Sequence, residues 1–361
     1  MEKETFCQIK KSFIIGRFVD KISRRGYHNF DCILMNRRQR PEERNPMADI
    51  TSLGELLVDM TPLSPISYQY NPGGGPANMI CMVRKLSVPA AFIGQVGNDA
   101  FGKKLQAKLV SEKVDTEALS LSDQYPTTLA FVHWAEHGER SFSFYRHGSA
   151  DTKIEVTDIA KEKIRASKIF FLSSVLMSEG TSRDTSFELM KFAKDQGITI
   201  AFDPNVRLNL WSSQEECVSY IRKALVYPDI VKVSEEELAM ITDKETVDEG
   251  IKVMYRAYPQ IKVLLVTLGS KGAVAALPDG SSRHFEGYQV EAVDTTGAGD
   301  AFTGAFLAEV VLHDTDINSV TLDQLEPLIK VANAAGPLTT TGKGGIDAQP
   351  SAKQIEELIK G

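Results

Sequence analysis

The sequence is short of sulfur ligands, of long apolar runs and of basic charge, and each shortage closes off a class of function. Its four cysteines, Cys7, Cys32, Cys81 and Cys217, lie far apart, so they form neither a disulfide framework nor the paired spacing of a zinc site. A reducing cytoplasm is the expected compartment. No apolar run reaches the roughly 18 residues that a membrane helix needs. The best stretch, Phe170 to Met177, is interrupted by Ser173 and Ser174, and no membrane partner is expected. The six histidines, His28, His133, His137, His147, His284 and His313, show no metal-ligand spacing. Trp134 and Trp211 read as core or rim aromatics. The net charge of −7 is unevenly spread: residues 1–46 carry 11 Lys+Arg and 6 Asp+Glu, leaving 30 and 42 for the remainder. A body this acidic lacks the lysines and arginines that wrapping a nucleic acid requires. Any anion site must be local.

Residues 1–46 lack sustained periodicity, and their Arg-rich end, Asn36 to Pro41, runs straight into Met47. They read as an appended segment, either disordered or non-native upstream of a start at Met47. Six acidic residues and the missing apolar core of a signal argue against an import or secretion peptide. From Ile50 onward, short apolar runs alternate with amphipathic stretches of about 10 to 15 residues, the pattern of βαβ units around a parallel sheet. Strands are expected at Ile50–Val58, Ala90–Val96, Lys168–Leu172, Ile198–Phe202, Ile230–Val233 and Lys262–Leu268. Helices are expected at Pro76–Leu86, Asp99–Glu112, Ser182–Asp195, Gln214–Leu225 and Val247–Tyr258. Thr127–Trp134 and Ser141–Tyr145, rich in β-branched and aromatic residues around a polar loop with Gly138, predict a hairpin. With no repeat and no low-complexity linker, the reading is one α/β domain over 47–361 carrying a small β layer near 60–70 and 127–146.

The strongest local signal is Asp294-Thr295-Thr296-Gly297-Ala298-Gly299-Asp300, which opens onto an apolar helix pattern at Ala301–Leu312. Gly297 to Gly299 predict a tight turn at a helix N-terminus, where unpaired N–H groups and the positive dipole end bind anions. Asp300, in the first turn, serves either as a helix cap or as a base beside a held phosphate; the glycine spacing favours the base. A dinucleotide fingerprint would need glycine where Phe302 stands, and Gly342-Lys343 is followed by Gly344 rather than by the Ser or Thr of a Walker A loop. A second signal is Asn71-Pro72-Gly73-Gly74-Gly75-Pro76-Ala77-Asn78. Its glycines let a ligand approach bare backbone, and Asn78, one turn into the helix, offers a donor and an acceptor to hydroxyls. By itself this run reads equally as a sharp strand-to-helix turn.

The two motifs in this order resemble the hallmarks of the ribokinase-like (phosphofructokinase B) family of carbohydrate kinases, over roughly residues 48–360. The resemblance implies an α/β, Rossmann-type sandwich with a central, mostly parallel sheet, helices on both faces and a small β-sheet lid. It implies phosphoryl transfer from ATP with Mg²⁺ to a sugar, and a homodimer through the lid. It makes Asp300 the catalytic base and the Ala298, Gly299 and Asp300 amides the anion hole with Gly297. Asp59, at the end of the first strand, would meet sugar hydroxyls together with Gly73, Gly74 and Asn78. Thr267, Gly269 and Gly272 match the nucleotide loop, and Asn333 the residue beside adenine. Glu237 matches the acid of an Asn-x-x-Glu element that organises Mg²⁺ indirectly, although Ser234 replaces the Asn. Asp294 and Thr296 resemble the monovalent-cation loop of some members, where K⁺ would sit.

Within the family, Gly75 and Pro76, the run Thr128 to Val132, Phe142 to Arg146 before Asp151, and Asp203-Pro204-Asn205-Val206-Arg207 lean towards fructokinases and the related 2-keto-3-deoxygluconate kinases. Arg146 is expected to donate to ketose hydroxyls or to a carboxylate, and Arg207 to reach the transferred phosphate. Fructose is the expected substrate and 2-keto-3-deoxygluconate the alternative. An intact Asp300 argues against a sugar-binding regulator without turnover.

Overall fold

The computed structural model describes residues 48–64, 66–134 and 140–361. The appended segment expected at 1–46 and the hairpin loop around Gly138 lie outside those residues. The chain opens with β1 (Ile50–Leu53), β2 (Leu57–Ser64) and β3 (Ser67–Gly73), then α1 (Gly75–Lys85), β4 (Ala90–Gly97), α2 (Ala100–Ser111) and β5 (Leu119–Ser122). The hairpin β6 (Leu129–Trp134) and β7 (Arg140–Tyr145) is followed by α3 (Asp158–Ala166), β8 (Ile169–Ser173), α4 (Thr181–Asp195), β9 (Thr199–Asp203) and α5 (Gln214–Ala224). Then come β10 (Ile230–Ser234), α6 (Glu235–Thr242), α7 (Val247–Ala257), β11 (Val263–Thr267), β12 (Ala273–Ala276) and β13 (Ser282–Phe285). The helices α8 (Ala298–Leu312), α9 (Leu322–Thr339) and α10 (Ala352–Lys360) end the chain.

The large sheet has the order β13-β12-β11-β10-β9-β8-β1-β4-β5. Pairing is parallel from β11 to β5, and β12 and β13 add an antiparallel edge. Its strands read as near-continuous apolar runs because both faces are covered. On one face Phe92, Phe302, Phe306 and Leu328 pack under α1, α8 and α9; on the other Phe170, Leu189, Phe202, Ile221 and Met254 form a second core. Helix α8 is apolar nearly all round and lies between α1 and α9. The chain leaves β1 for β4 and β5 on one side, then returns to β8 on the other. That reversal opens a crevice beyond the carboxyl ends of the strands, where ligands bind in such sheets.

The expected strand Ile50–Val58 is broken. A Cβ at Gly54 would overlap the Pro76 ring, so the first turn of α1 packs straight onto the backbone there. Residues 54–56 bend out of the large sheet, and β2 pairs antiparallel with β3 and parallel with β6. These strands with β7 make the separate sheet β3-β2-β6-β7, the lid that the 60–70 and 127–146 segments predict. Asp59 therefore sits inside lid strand β2 rather than at the end of the first strand. Phe131 is edge-on to both Tyr68 (5.2 Å) and Tyr145 (5.3 Å) on this sheet.

Candidate active site

A cleft of about 1060 Å³ lies between the lid and the strand ends, lined at one side by Glu55, Asp59, Gly75, Asn78 and Arg146 and at the other by Thr267 and Gly269. The N-terminus of α8 stands in its middle. Gly297 takes a left-handed conformation (φ 78°) as N-cap with no side chain closing the helix end. Among the described residues the N–H groups of Gly299 and Asp300 have no partner, while that of Ala298 makes a long bond to the Thr295 carbonyl (3.4 Å). Two of the three expected anion-hole amides are thus open, and the third is turned partly into the loop.

Asp300 presents its carboxylate beside these amides. Burial pushes its pKa above the ordinary value, against the Asn78 hydrogen bond and the charges of Arg207 and Lys232. Asn78 Nδ2 donates to Asp300 Oδ2 (2.8 Å), and the Asn78 backbone is itself held by Gln349 (2.7 Å). Sequence reasoning gave Asn78 to the sugar; its Nδ2 is here directed at the Asp300 carboxylate, and its Oδ1 has no partner.

The glycines of the second motif make room for side chains. A Cβ at Gly73 would overlap Asp59 Oδ2, and one at Gly75 would overlap Asn205 Nδ2 and lie 3.3 Å from Asp300 Oδ1. Gly74 adopts φ 114°, which L side chains rarely take. The Asp59 carboxylate has no hydrogen-bond partner among the described residues, and burial, with Asp294 and Asp300 nearby, pushes its pKa up to about 7 against the pull of Arg207. Glu55, only 3% exposed, accepts from Gly75 N through Oε1 (2.8 Å) and leaves Oε2 buried without a partner. Burial lifts it to about 7 as well. Sequence reasoning missed Glu55; the signal was an acid immediately after the glycine that ends a buried strand.

Arg146 is 2% exposed. Its Nε donates to Asp151 Oδ2 (2.6 Å) and its Nη1 to Ser178 Oγ (2.7 Å), leaving Nη2 buried and unpartnered. Two of its five N–H donors are thereby spent inside the protein. Arg207 follows β9 on an exposed loop at the cleft and bonds the carbonyl of Val206 (2.9 Å). Glu237 accepts from Val206 N (2.7 Å) and Ser234 N (2.8 Å) in a capping box at the start of α6. Its Oε1 thus ties the 205–207 loop to α6, while Oε2 closes the helix's own cap. Asp294 accepts from Thr296 N (2.8 Å) and Gly344 N (3.2 Å), joining the loop before α8 to the chain after α9.

Beyond Gly299 the cleft adjoins a smaller, largely apolar hollow of about 300 Å³, lined by Gly272, Tyr288, Val290, Phe302 and Pro337. Gly269 (φ 59°) and Gly272 (φ 95°) bend the loop that borders it, and Thr267 Oγ1 reaches back to the Val233 carbonyl (3.4 Å). Asn333 donates to the carbonyls of Phe285 and Glu286 (both 3.0 Å), so it shapes the wall and has its donors spent. Lys232, on β10, also faces the cleft and was missed; a lone charge inside an apolar strand was its signal.

The pattern that defines the pfkB family carbohydrate kinases matches residues 47–352. Fructokinase-2 of Solanum lycopersicum is 36% identical over 323 residues, covering 86% of this chain and 96% of that protein. A fructokinase double mutant from Vibrio cholerae, solved with fructose, ADP and potassium ion bound, superimposes with a TM-score of 0.79 at 32% identity, covering 88% of this chain and 100% of that one. A fructokinase from Xylella fastidiosa with bound ATP gives 0.78 at 28% identity, over 86% and 98%.

Proposed function

The chain belongs to the pfkB family of carbohydrate kinases, and from that membership we propose that it phosphorylates fructose with ATP at the primary hydroxyl, giving fructose 6-phosphate. The observation that carries the reaction is the Asp300 carboxylate, fixed by Asn78 and set beside the open amides of Gly299 and Asp300. The sugar hydroxyl attacks the γ-phosphorus in line as the bond to the β-phosphate oxygen breaks and ADP leaves, its proton passes to Asp300, and the amides bind the charge that develops. A raised carboxyl pKa makes Asp300 a better proton acceptor once ionised.

Glu55, Asp59 and Arg146 supply the unpartnered acceptor and donor atoms that ring hydroxyls would meet at the lid end. Arg146 bears on the choice of sugar. Its charge is already paired with the buried Asp151 carboxylate, and Ser178 takes a further donor, which suits a neutral sugar such as fructose better than the carboxylate of 2-keto-3-deoxygluconate. The adjoining apolar hollow suits the adenine ring, with Gly269 and Gly272 bordering it.

Among the described residues no group of three or more His, Cys, Asp or Glu side chains could hold a metal ion. Hard carboxylate oxygens on the cleft wall at Glu235 and Glu236 fit a hydrated divalent ion carried by phosphates. Held there, magnesium would supply neutralisation of the phosphate charge. The joined loops at Asp294, Thr296 and Gly344 are where we place a monovalent cation. A homodimer through the lid is supported by Leu63, Ile66 and Tyr145, all exposed there, Ile66 at 94%. No described helix is long and apolar enough to cross a membrane, and the free thiols Cys81 and Cys217 suit a reducing cytoplasm.

The test is a coupled ATP-consumption assay across fructose, 2-keto-3-deoxygluconate, ribose, adenosine and fructose 6-phosphate. Fructose should give the highest kcat/KM; efficient 2-keto-3-deoxygluconate turnover with weak fructose activity would transfer the assignment to that acid.

A further inference from the structure

Lys232 occupies a place where a lysine is costly. It is the middle residue of the five-residue strand β10, between the fully buried Val231 and Val233, and is itself 7% exposed. A charge so placed persists only when paired and hydrogen-bonded. Its partner is Asp203 at the end of β9, with Nζ 3.1 Å from Oδ2. The other oxygen of Asp203 accepts from Asn205 N (3.1 Å). Burial opposes the charge on Lys232, but Asp203, Glu237 and Asp300 outweigh it and hold its pKa above the ordinary lysine value.

A pair that served only to join two strands would have no reason to stand where this one does. A Cβ at Gly299 would lie 3.2 Å from Lys232 Nζ, so the ammonium rests against the backbone whose amide is open at the start of α8. An ammonium has three donors, and among the described residues this one spends a single donor, on Asp203. The surroundings are otherwise negative, with Asp203, Glu237 and Asp300 all acting on it. Of the other cations that line the cleft, Arg207 and Lys271 are exposed and Arg146 is tied to Asp151.

The geometry points to Lys232 as a fixed cation for the transferred phosphoryl group, its two spare N–H donors meeting non-bridging oxygens beside the Gly299 and Asp300 amides. This rests on the kinase reading above. As the sugar oxygen bonds to phosphorus, the bond to the β-phosphate oxygen breaks with its electron pair leaving on ADP, and the hydroxyl proton goes to Asp300. Lys232 stays protonated throughout. Asp203 acts as a positioning residue that keeps the ammonium in place.

The experiment compares Lys232→Met with the neutral pair Lys232→Met/Asp203→Asn, so that no buried charge is left alone. The neutral pair should melt close to wild type, yet its kcat for fructose should fall about 10²–10³-fold, as for loss of an oxyanion donor, with KM for fructose nearly unchanged. Lys232→Arg should recover part of kcat. Recovery of wild-type kcat in the neutral pair would overturn the proposal and leave the two residues a structural tie. An independent reading on the wild-type protein is the side-chain ¹⁵N resonance of Lys232, identified by its loss in Lys232→Arg. It should shift when ADP, magnesium, fructose and aluminium fluoride are added and stay in place with fructose alone; no shift with the full set would equally refute the role. Failure of the kinase reading would instead appear as a wild-type protein that phosphorylates no sugar.

Discussion

Replacing Asn78 by leucine isolates the hydrogen bond that holds the base. The substitution keeps the number and branching of side-chain heavy atoms while removing Nδ2, which donates to Asp300 Oδ2 at 2.8 Å. It also removes Oδ1, which is buried without a partner, so the fold loses one good contact and one unsatisfied atom together, and the melting temperature should move little. A hydrogen bond to a charged group contributes about 1.5–3 kcal/mol, and one pKa unit corresponds to about 1.4 kcal/mol. Asn78 lowers the Asp300 pKa against burial; its loss should therefore raise that pKa further. A base works only when ionised, so turnover is lost as pH falls through its pKa, and the acidic limb of the kcat profile should move to higher pH by the same amount. The assay is kcat at saturating fructose and ATP measured between about pH 5 and pH 9. A limb that stays in place with an unchanged plateau would refute the claim that Asn78 governs the base.

Further outcomes follow from neighbouring residues. Asp300→Asn should lower kcat by about 10²–10⁴-fold while nucleotide binding, read by calorimetry, persists. Glu55 has a folded pKa near 7, above its ordinary 4.5, so its folded form holds the extra proton and stability should fall as pH rises from about 4.5 to about 7. Glu55→Gln should flatten that slope and raise stability at pH 8 by about 3 kcal/mol at most, seen as a higher melting temperature, while weakening fructose binding; an unchanged slope contradicts the assignment. Arg146→Gln strands Asp151 in the interior, so it should destabilise the protein by about 3–5 kcal/mol, visible in denaturant titration, and raise KM for fructose with little salt dependence. A chain beginning at Met47, where the family match begins, should fold and turn over fructose as the full chain does; a large drop in melting temperature would show that the first 46 residues matter to the core.

What the sequence disclosed was local. The turn at Gly297 and the helix behind it are specified by adjacent residues, and the strand runs from β8 to β11 are apolar because two covered faces require it. What stayed hidden was set across distance. Asn78 meets a carboxylate 222 residues further on, and nothing beside it in the chain signals that contact. Arg146 looked available because its Ser178 partner lies on a later segment. The break at Gly54 comes from Pro76 crossing overhead, which an unbroken apolar run cannot reveal. Pro327 and Pro337 lie inside α9 and mask a helix that the periodicity would otherwise disclose.

The bend at residues 54–56 also sets a division of labour. Asp300, Asn78 and Lys232 all belong to helices and strands of the large sheet and its covering layers, whereas Asp59 rides on β2 in the smaller one. On the proposed roles, alterations to the smaller sheet would retune which sugar is accepted without disturbing the groups assigned to phosphate. In evolutionary terms the smaller sheet would then be the adaptable part, where lineages explore new hydroxyl patterns while inheriting the transfer machinery unchanged.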